Sequence, residues 1–238
     1  MNYKWLLLIA CLVMTALVAP TTSAGTERHE CFGKKATIVG TRGADRLIGR
    51  ENKADVIVGL GGHDIIAGSR DINSATAPGD RLCEDPGQDH IRGGVGEDRI
   101  QGGGNRDDVD GSFGYDVITQ GGRGRDRVYD CDSEYSGGVR IIKGGRGRDR
   151  LCVDTDRTRM YGEGGADTLI DFSCNEESEL LGGTGHDEIE SYHDNQGGED
   201  CPSGQFDVGD LVVGGPGQDQ ATVSANDRTN GVETVNNP

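Results

Sequence analysis

Aromatic residues are scarce in this chain of 238 residues: they make up 5% of it, with 1 Trp, which leaves little material for a conventional globular core. Cationic residues are scarce as well. Against 41 Asp and Glu stand 24 Lys and Arg, a formal charge of −17, which argues against nucleic acid or an anionic membrane as a partner and in favour of cations. After the first 24 residues no stretch is apolar enough to span a bilayer. The sequence has no CxxC pair, so a zinc site is poorly supported. HExxH and GxSxG are also missing, and with them two common signatures of metalloproteases and α/β-hydrolases.

What the chain does have begins with a leader. MNYK is a short cationic start, WLLLIACLVMTALVAP is an apolar run, and Thr22-Ser23-Ala24 supplies small residues for cleavage, which together predict a Sec-type signal peptide cut after Ala24. Leu8-Ile9-Ala10-Cys11 has the letters of a lipoprotein box, but it sits inside the apolar segment with more apolar residues after it. Beyond the leader lie six cysteines, Cys31, Cys83, Cys131, Cys152, Cys174 and Cys201, an even number that suggests disulfides in an exported chain. All 41 glycines lie there too, far above the roughly 7% of ordinary proteins. Such a composition permits disorder, so the order of the residues must decide.

That order is periodic. GGVGEDRIQ (93–101), GGGNRDDVD (102–110) and GSFGYDVIT (111–119) follow one another without a gap, each with a glycine-rich turn, an aspartate sixth and an aliphatic residue eighth. The period is nine. After one extra residue, Gln120, comes GGRGRDRVY (121–129), and further copies are GTRGADRLI (40–48), GLGGHDIIA (59–67), GGRGRDRLC (144–152), GEGGADTLI (162–170), GGTGHDEIE (182–190) and GGPGQDQAT (214–222). Glycines at the first, second and fourth positions, such as Gly94, Gly96, Gly122, Gly124, Gly145 and Gly147, permit positive φ and close backbone approach, so that a six-residue loop can turn carbonyl oxygens inward. The sixth-place aspartate adds a carboxylate to that oxygen cage, as a hard cation requires. The next triplet, such as Arg99-Ile100-Gln101, is a minimal strand with Ile100 pointing in and its neighbours out. Stacking such turns would set aspartates about 4.8 Å apart, with repulsion of about 1 kcal/mol per neighbouring pair even in water. A divalent cation between turns reverses that sign.

In this pattern, GGxGxDxUx with U aliphatic, the chain resembles the repeats-in-toxin family, also called haemolysin-type calcium-binding repeats. The likeness runs from about Ile38 to Ala221 and includes five complete GGxGxD loops, at 93, 121, 144, 182 and 214. It implies an all-β fold, a right-handed parallel β-roll (β-solenoid) of nine-residue repeats that holds several Ca2+ ions. Members often leave the cell by a C-terminal signal, whereas this chain starts with a leader, which argues against a toxin-like role. Their repeats often trail a protease, lipase or epimerase domain. Here the repeats begin within about 15 residues of the cleavage site. The organisation expected is a signal peptide over 1–24, an N-terminal segment or cap over 25–37, the roll over 38–222, and a C-terminal cap and tail over 223–238.

In the family's β-roll two successive repeats make one turn, so loops alternate between two edges and each ion lies between repeats i and i+2. One edge, A, then carries Asp45, Asp64, Asp89, Asp107, Asp126, Asp149, Asp167, Asp187 and Asp219. The other, B, begins with Asp55, Asp80, Asp98 and Asp116 and decays into VRIIK, RTRMY, ESELL and VGDLVV, which keep an inward Ile142, Met160, Leu180 and Val212. The expected calcium ligands are the edge A aspartates together with Asp80, Asp98 and Asp116, and the six loop glycines named above. Insertions at 130–143, 171–181 and 191–213 fall in edge B units, leaving edge A as the metal rail.

On this count Cys131, Cys152, Cys174 and Cys201 lie one turn apart where the chain passes edge B, and disulfides there would take the place of ions. Cys131–Cys152 and Cys174–Cys201 are the expected pairs, with Cys152–Cys174 as the alternative; Cys31–Cys83 follows by elimination and requires the N-terminal segment to fold back along the roll. Asp130, Asp132 and Glu134 resemble the start of an EF-hand loop, but Tyr135 stands where the turn glycine belongs, so an exposed acidic insertion is expected. Arg46, Arg81, Arg99, Arg127 and Arg150 precede the inward aliphatic and form either a basic stripe for acidic glycans or a solvated strand face. His63, His90 and His186 need no ligand role. The function expected is that of a secreted, extracellular calcium-binding protein with a structural, surface or matrix role and no catalysis. A carbohydrate-binding module or adhesin is the alternative, followed by a polysaccharide lyase or epimerase; the matching partners are extracellular polysaccharide or a cell surface.

Overall fold

A computed structural model describes residues 29–69, 78–113, 116, 118–130, 140–153, 157–172, 177–191, 209–224 and 226–236. Among these residues every regular element is a β-strand. The strands form two long parallel sheets, and the chain crosses from one to the other with each repeat. Sheet A has ten strands in chain order, from Arg46–Ile48, Ile65–Ala67 and His90–Val95 through Arg150–Val153 to Gln220–Val223 and Thr234–Asn236. Sheet B alternates with it, from Ile38–Val39, Val56–Val58 and Arg81–Cys83 through Arg140–Gly147 to Leu211–Val213 and Arg228–Asn230. This is a β-roll built as a solenoid.

The three-residue strands follow from the pleat. With side chains alternating, only the middle residue of each triplet faces the interior. In sheet A these are Ile66, Ile91, Val109, Val128, Leu151, Leu169, Ile189 and Ala221; in sheet B they are Ile57, Leu82, Ile100, Ile142, Met160, Leu180 and Val212, all at most 1% exposed. The two columns make one continuous core. Each aliphatic contributes roughly 1.5–3 kcal/mol by burial, and the register matches them one to one across neighbouring turns. The edge B units thus keep their inward Ile142, Met160, Leu180 and Val212 as the repeat pattern predicts.

One unit departs from it. The period puts Ile118 in the eighth place, yet Ile118 pairs with Arg99, and Thr119 pairs with Ile100 and with Ile142. The cause is the extra residue of that repeat. Asp116 still bonds Asp98 across a separation of 18, whereas Thr119 pairs with Ile100 across one more, so the chain takes up its additional residue between Asp116 and Ile118, ahead of the strand. The following Gly122 loop therefore stays matched to Gly103.

The N-terminal segment is an antiparallel hairpin of Glu30–Cys31 and Lys34–Lys35. Cys31 packs with Val56 and Val58 on the outer face of sheet B and forms a disulfide with Cys83, Cα atoms 5.7 Å apart. The folding back that this pair requires is therefore how the cap is built. Cys152 lies in the Arg150–Val153 strand, while Cys131, Cys174 and Cys201 fall outside the described residues, as do Asp132 and Glu134. The arginines proposed as one stripe are split: Arg46, Arg127 and Arg150 stand on sheet A and Arg81 and Arg99 on sheet B, because alternate repeats feed opposite sheets.

Candidate metal rail

The loops that lead into sheet A lie along one edge. Their glycines let main chain stack on main chain: Gly147 has φ 141°, and a Cβ there would lie 1.4 Å from the Gly124 carbonyl oxygen of the preceding turn. A side chain at Gly147 would collide with that carbonyl.

The aspartates closing these loops form a continuous hydrogen-bond ladder. The Oδ1 of Asp64 accepts the backbone N–H of Asp45 at 2.8 Å, and Asp89, Asp107, Asp126, Asp149, Asp167, Asp187 and Asp219 each accept the N–H of the aspartate one turn earlier at 2.8–3.0 Å. Glu233 ends it, its Oε2 accepting the Asp219 N–H at 2.5 Å. All nine edge A aspartates therefore fall in one column, in the order the repeat count assigns.

One oxygen of each carboxylate is used in this way. The other is not. From Asp64 to Asp219, all eight Oδ2 atoms are buried and meet no donor. Each faces a space lined by loop oxygens: a Cβ on Gly144 would lie 2.8 Å from Asp149 Oδ2 and 3.0 Å from the Gly162 carbonyl oxygen, and Gly102, Gly121, Gly162, Gly182 and Gly214 have the same surroundings. Orphaned carboxylate oxygens beside backbone carbonyls form a hard donor set of the kind calcium takes. The residues present therefore fit that ion. Asp45 differs, because its Oδ2 accepts the hydroxyl of Thr41 at 2.9 Å.

The charge on this column is costly without a cation. Burial, opposed in part by the ladder hydrogen bonds, pushes the Asp107 carboxyl up to about 8, Asp126 and Asp167 to about 7, and Asp89 and Asp149 to about 6. Repulsion between neighbours adds to it, Asp126 and Asp89 acting on Asp107.

Edge B carries a second ladder of different character. Asp80, Asp98 and Asp116 each accept the N–H of the preceding turn, at 2.6–2.9 Å. At Asp80 and Asp55 protein donors also take the second oxygen: Ser69 N–H donates to Asp80 Oδ2 at 2.8 Å, and Arg50 pairs with Asp55. Asp98 keeps the edge A arrangement, for a Cβ on Gly93 would lie 2.6 Å from Asp98 Oδ2 and 2.4 Å from the Gly111 carbonyl oxygen. Although burial works the other way, Arg50 and Thr37 hold the Asp55 carboxyl below its ordinary value. Beyond the insertions the ladder resumes without glycine loops. Ser178 Oγ accepts from Thr158 at 3.2 Å, Asp210 from Ser178 at 2.8 Å and Asp227 from Asp210 at 2.7 Å, and Ser191 Oγ donates to Asp210 Oδ2 at 2.8 Å. The sequence reading missed these residues because it looked for glycines. Asp-Leu-Val at 210–212 was the available signal.

Of the predicted loop glycines, Gly122, Gly124, Gly145 and Gly147 belong to edge A and Gly94 and Gly96 to edge B, all six with φ between 113° and 146°. His63, His90 and His186 are exposed, and His186 Nδ1 accepts the Gln218 N–H at 3.1 Å. One residue was not anticipated at all. Glu84 takes the first place of the loop EDPGQD (84–89), where a glycine is the rule, and lies within 4.8 Å of Asp64 and Asp89 through their ligand atoms.

A family model for the RTX calcium-binding nonapeptide repeat (4 copies) matches residues 36–53, 51–74 and 85–118. No match was found among curated proteins or among solved structures. The chain carries RTX calcium-binding repeats, and such repeats bind Ca2+.

Two outcomes follow from the two ladders. Changing Asp107 and Asp126 together to Ala is expected to lower the number of calcium ions bound, counted by calorimetry, while changing Asp210 and Asp227 leaves that number unaltered; equal losses would refute the assignment of ions to edge A. The second concerns pH. The carboxyls of Asp89, Asp107, Asp126, Asp149 and Asp167 have folded values above the ordinary value of about 3.9, so in the ion-free protein their contribution is complete at low pH and is lost as pH rises through about 6 to 8. The melting temperature in EDTA should fall between pH 5 and pH 8.5, and calcium should abolish the fall; a rise in EDTA over that range would contradict it.

Proposed function

We propose that this protein is a secreted, calcium-stabilised β-roll with a structural role at a cell surface or in an extracellular matrix, and that it is not an enzyme. The observation that carries this reading is the column of eight buried Oδ2 atoms without donors on edge A. A fold that buries like charges one turn apart needs a counter-charge on every turn, and extracellular fluid supplies calcium at a concentration that sites with affinities of roughly 0.1–1 mM can use. Export is supported by the leader over residues 1–24 and by the Cys31–Cys83 disulfide, a bond suited to oxidising compartments. A structural role is supported by the ladder: from Asp64 to Asp219 each aspartate holds the turn before it through the same backbone hydrogen bond. Circular dichroism of the full chain tests this directly. Strand signal should be lost in EDTA and return with calcium at roughly millimolar concentration. A spectrum unchanged in protein shown to be free of ion would end the proposal.

A second reading, binding to an acidic polysaccharide, is favoured by one specific feature. Arg106, Arg123, Arg125, Arg146 and Arg148 are exposed on three successive edge A loops, in a chain of net charge −17, and Arg123 and Arg146 are register partners. Guanidinium groups repeated at the spacing of the turns match a chain of carboxylates or sulfates. Retention of the protein on an immobilised acidic polysaccharide should be lost when Arg123 and Arg146 are changed to Gln. Retention that survives the change would dismiss this surface, and an unsaturated uronate product would point to a lyase instead.

A further inference from the structure

The loop at 84–89 breaks the rule of the edge on which it lies. Everywhere else on the well-formed part of edge A, the space beside the first glycine is lined by an aspartate Oδ2 and a carbonyl oxygen. In the turn of Gly59 it is filled by a side chain from the next turn: a Cβ on Gly59 would lie 1.9 Å from Glu84 Oε2 and 2.2 Å from Glu84 Oε1. Glu84 has thus been folded into the cradle itself. It is 3% exposed, and no donor reaches either of its oxygens. The Oδ2 atoms of Asp64 and Asp89, which are 2% and 3% exposed, meet no donor either.

Four orphaned carboxylate oxygens of three residues therefore converge in one buried space. One ligand atom from each of the three residues lies within 4.8 Å of the other two, which is the span of a cation with oxygens at about 2.3–2.6 Å on opposite sides. No Lys or Arg side chain pairs with any of the three among the described residues. Burial, then repulsion from Asp89 and Asp64, drives the Glu84 carboxyl up to about 10. A proton on Glu84 would satisfy one contact with Asp64 and leave the other oxygens orphaned. A multivalent cation satisfies all of them together.

We infer that Asp64, Glu84 and Asp89 form a distinct three-carboxylate cation site, tighter than the two-carboxylate sites along the rest of edge A and the first of them to fill. This rests on the proposed calcium rail and adds to it a rank order. Charge count is what tunes calcium affinity among otherwise similar oxygen sites, so a third carboxylate strengthens the site, and more so for a trivalent ion. Position gives the rank a use. Glu84 directly follows Cys83, whose disulfide to Cys31 fixes the N-terminal cap over sheet B, so the first ion would enter beside the one described turn that is covalently held.

The test is a titration of the full chain and of two variants, Glu84→Gln and Glu84→Gly, with Ca2+ and separately with Eu3+, followed by calorimetry and, for europium, by direct-excitation luminescence lifetime. The wild-type protein should show one site at least tenfold tighter than the remainder, with fewer waters on the first europium ion bound than on later ones. Glu84→Gln should lose that tight site and keep the others. Glu84→Gly, which restores the usual loop glycine, should convert it into one more site of ordinary affinity. Titrations of wild type and Glu84→Gln that coincide, or a variant that gains an ion, would overturn the inference and make Glu84 a protonated plug in place of an ion. Absence of any calcium binding by wild type would instead overturn the rail as a whole, so the two failures are distinguishable.

Discussion

A single hydrogen bond, repeated along the molecule, sets the terms for the rest: the one from a backbone N–H to the aspartate Oδ1 of the next turn. It pins each loop to the one after it and fixes the distance at which the strands pair. It also orients the carboxylate, and in doing so leaves the second oxygen facing a buried space. Ladder and ion demand therefore have one origin. Asp107 and Asp126 cannot hold the turns together without also presenting buried charge, and their elevated carboxyl values express that conflict. Protons relieve it in acid, and cations relieve it near neutrality.

The two edges resolve the same conflict differently. Edge A keeps its glycines, stacks main chain on main chain and leaves the second oxygen for a ligand from outside the chain. Edge B supplies donors of its own at Asp55, Asp80 and Asp210, from Arg50, Ser69 and Ser191, and beyond Asp116 it continues without glycine loops. That freedom explains why the longer connections gather on edge B. A connection that does not have to stack can be lengthened, provided it returns with a short side chain that ends in an oxygen acceptor, which Ser178 and Asp210 both provide.

Much of this is legible in the sequence. The nine-residue period fixes the strand triplets, the inward aliphatics and the alternation of edges, since each of these depends on chain distance alone. What escapes is local chemistry. The ladder at Ser178, Asp210 and Asp227 needs an oxygen acceptor and not a glycine, so a search for glycine loops passes over it. The exchange of Ile118 for Thr119 opposite Ile100 depends on which side of a strand absorbs one surplus residue, and the letters leave both sides open. Glu84 looks in the sequence like a defective first position. Only the stacking of the turns reveals that its side chain enters the cradle of its neighbour.

Because the chain changes sheet with every repeat, the molecule obeys a parity rule. Deleting nine residues would transfer every later aspartate to the opposite edge: the glycine loops downstream would meet the unstacked connections of edge B, and the column of free oxygens would break in two. Deleting eighteen would remove one complete turn and leave the rest in place. A roll of this kind can thus grow or shrink only by pairs of repeats. The two identical heptads GGRGRDR at 121–127 and 144–150, on the same edge with one diverged unit between them, are what duplication by such a pair would leave behind.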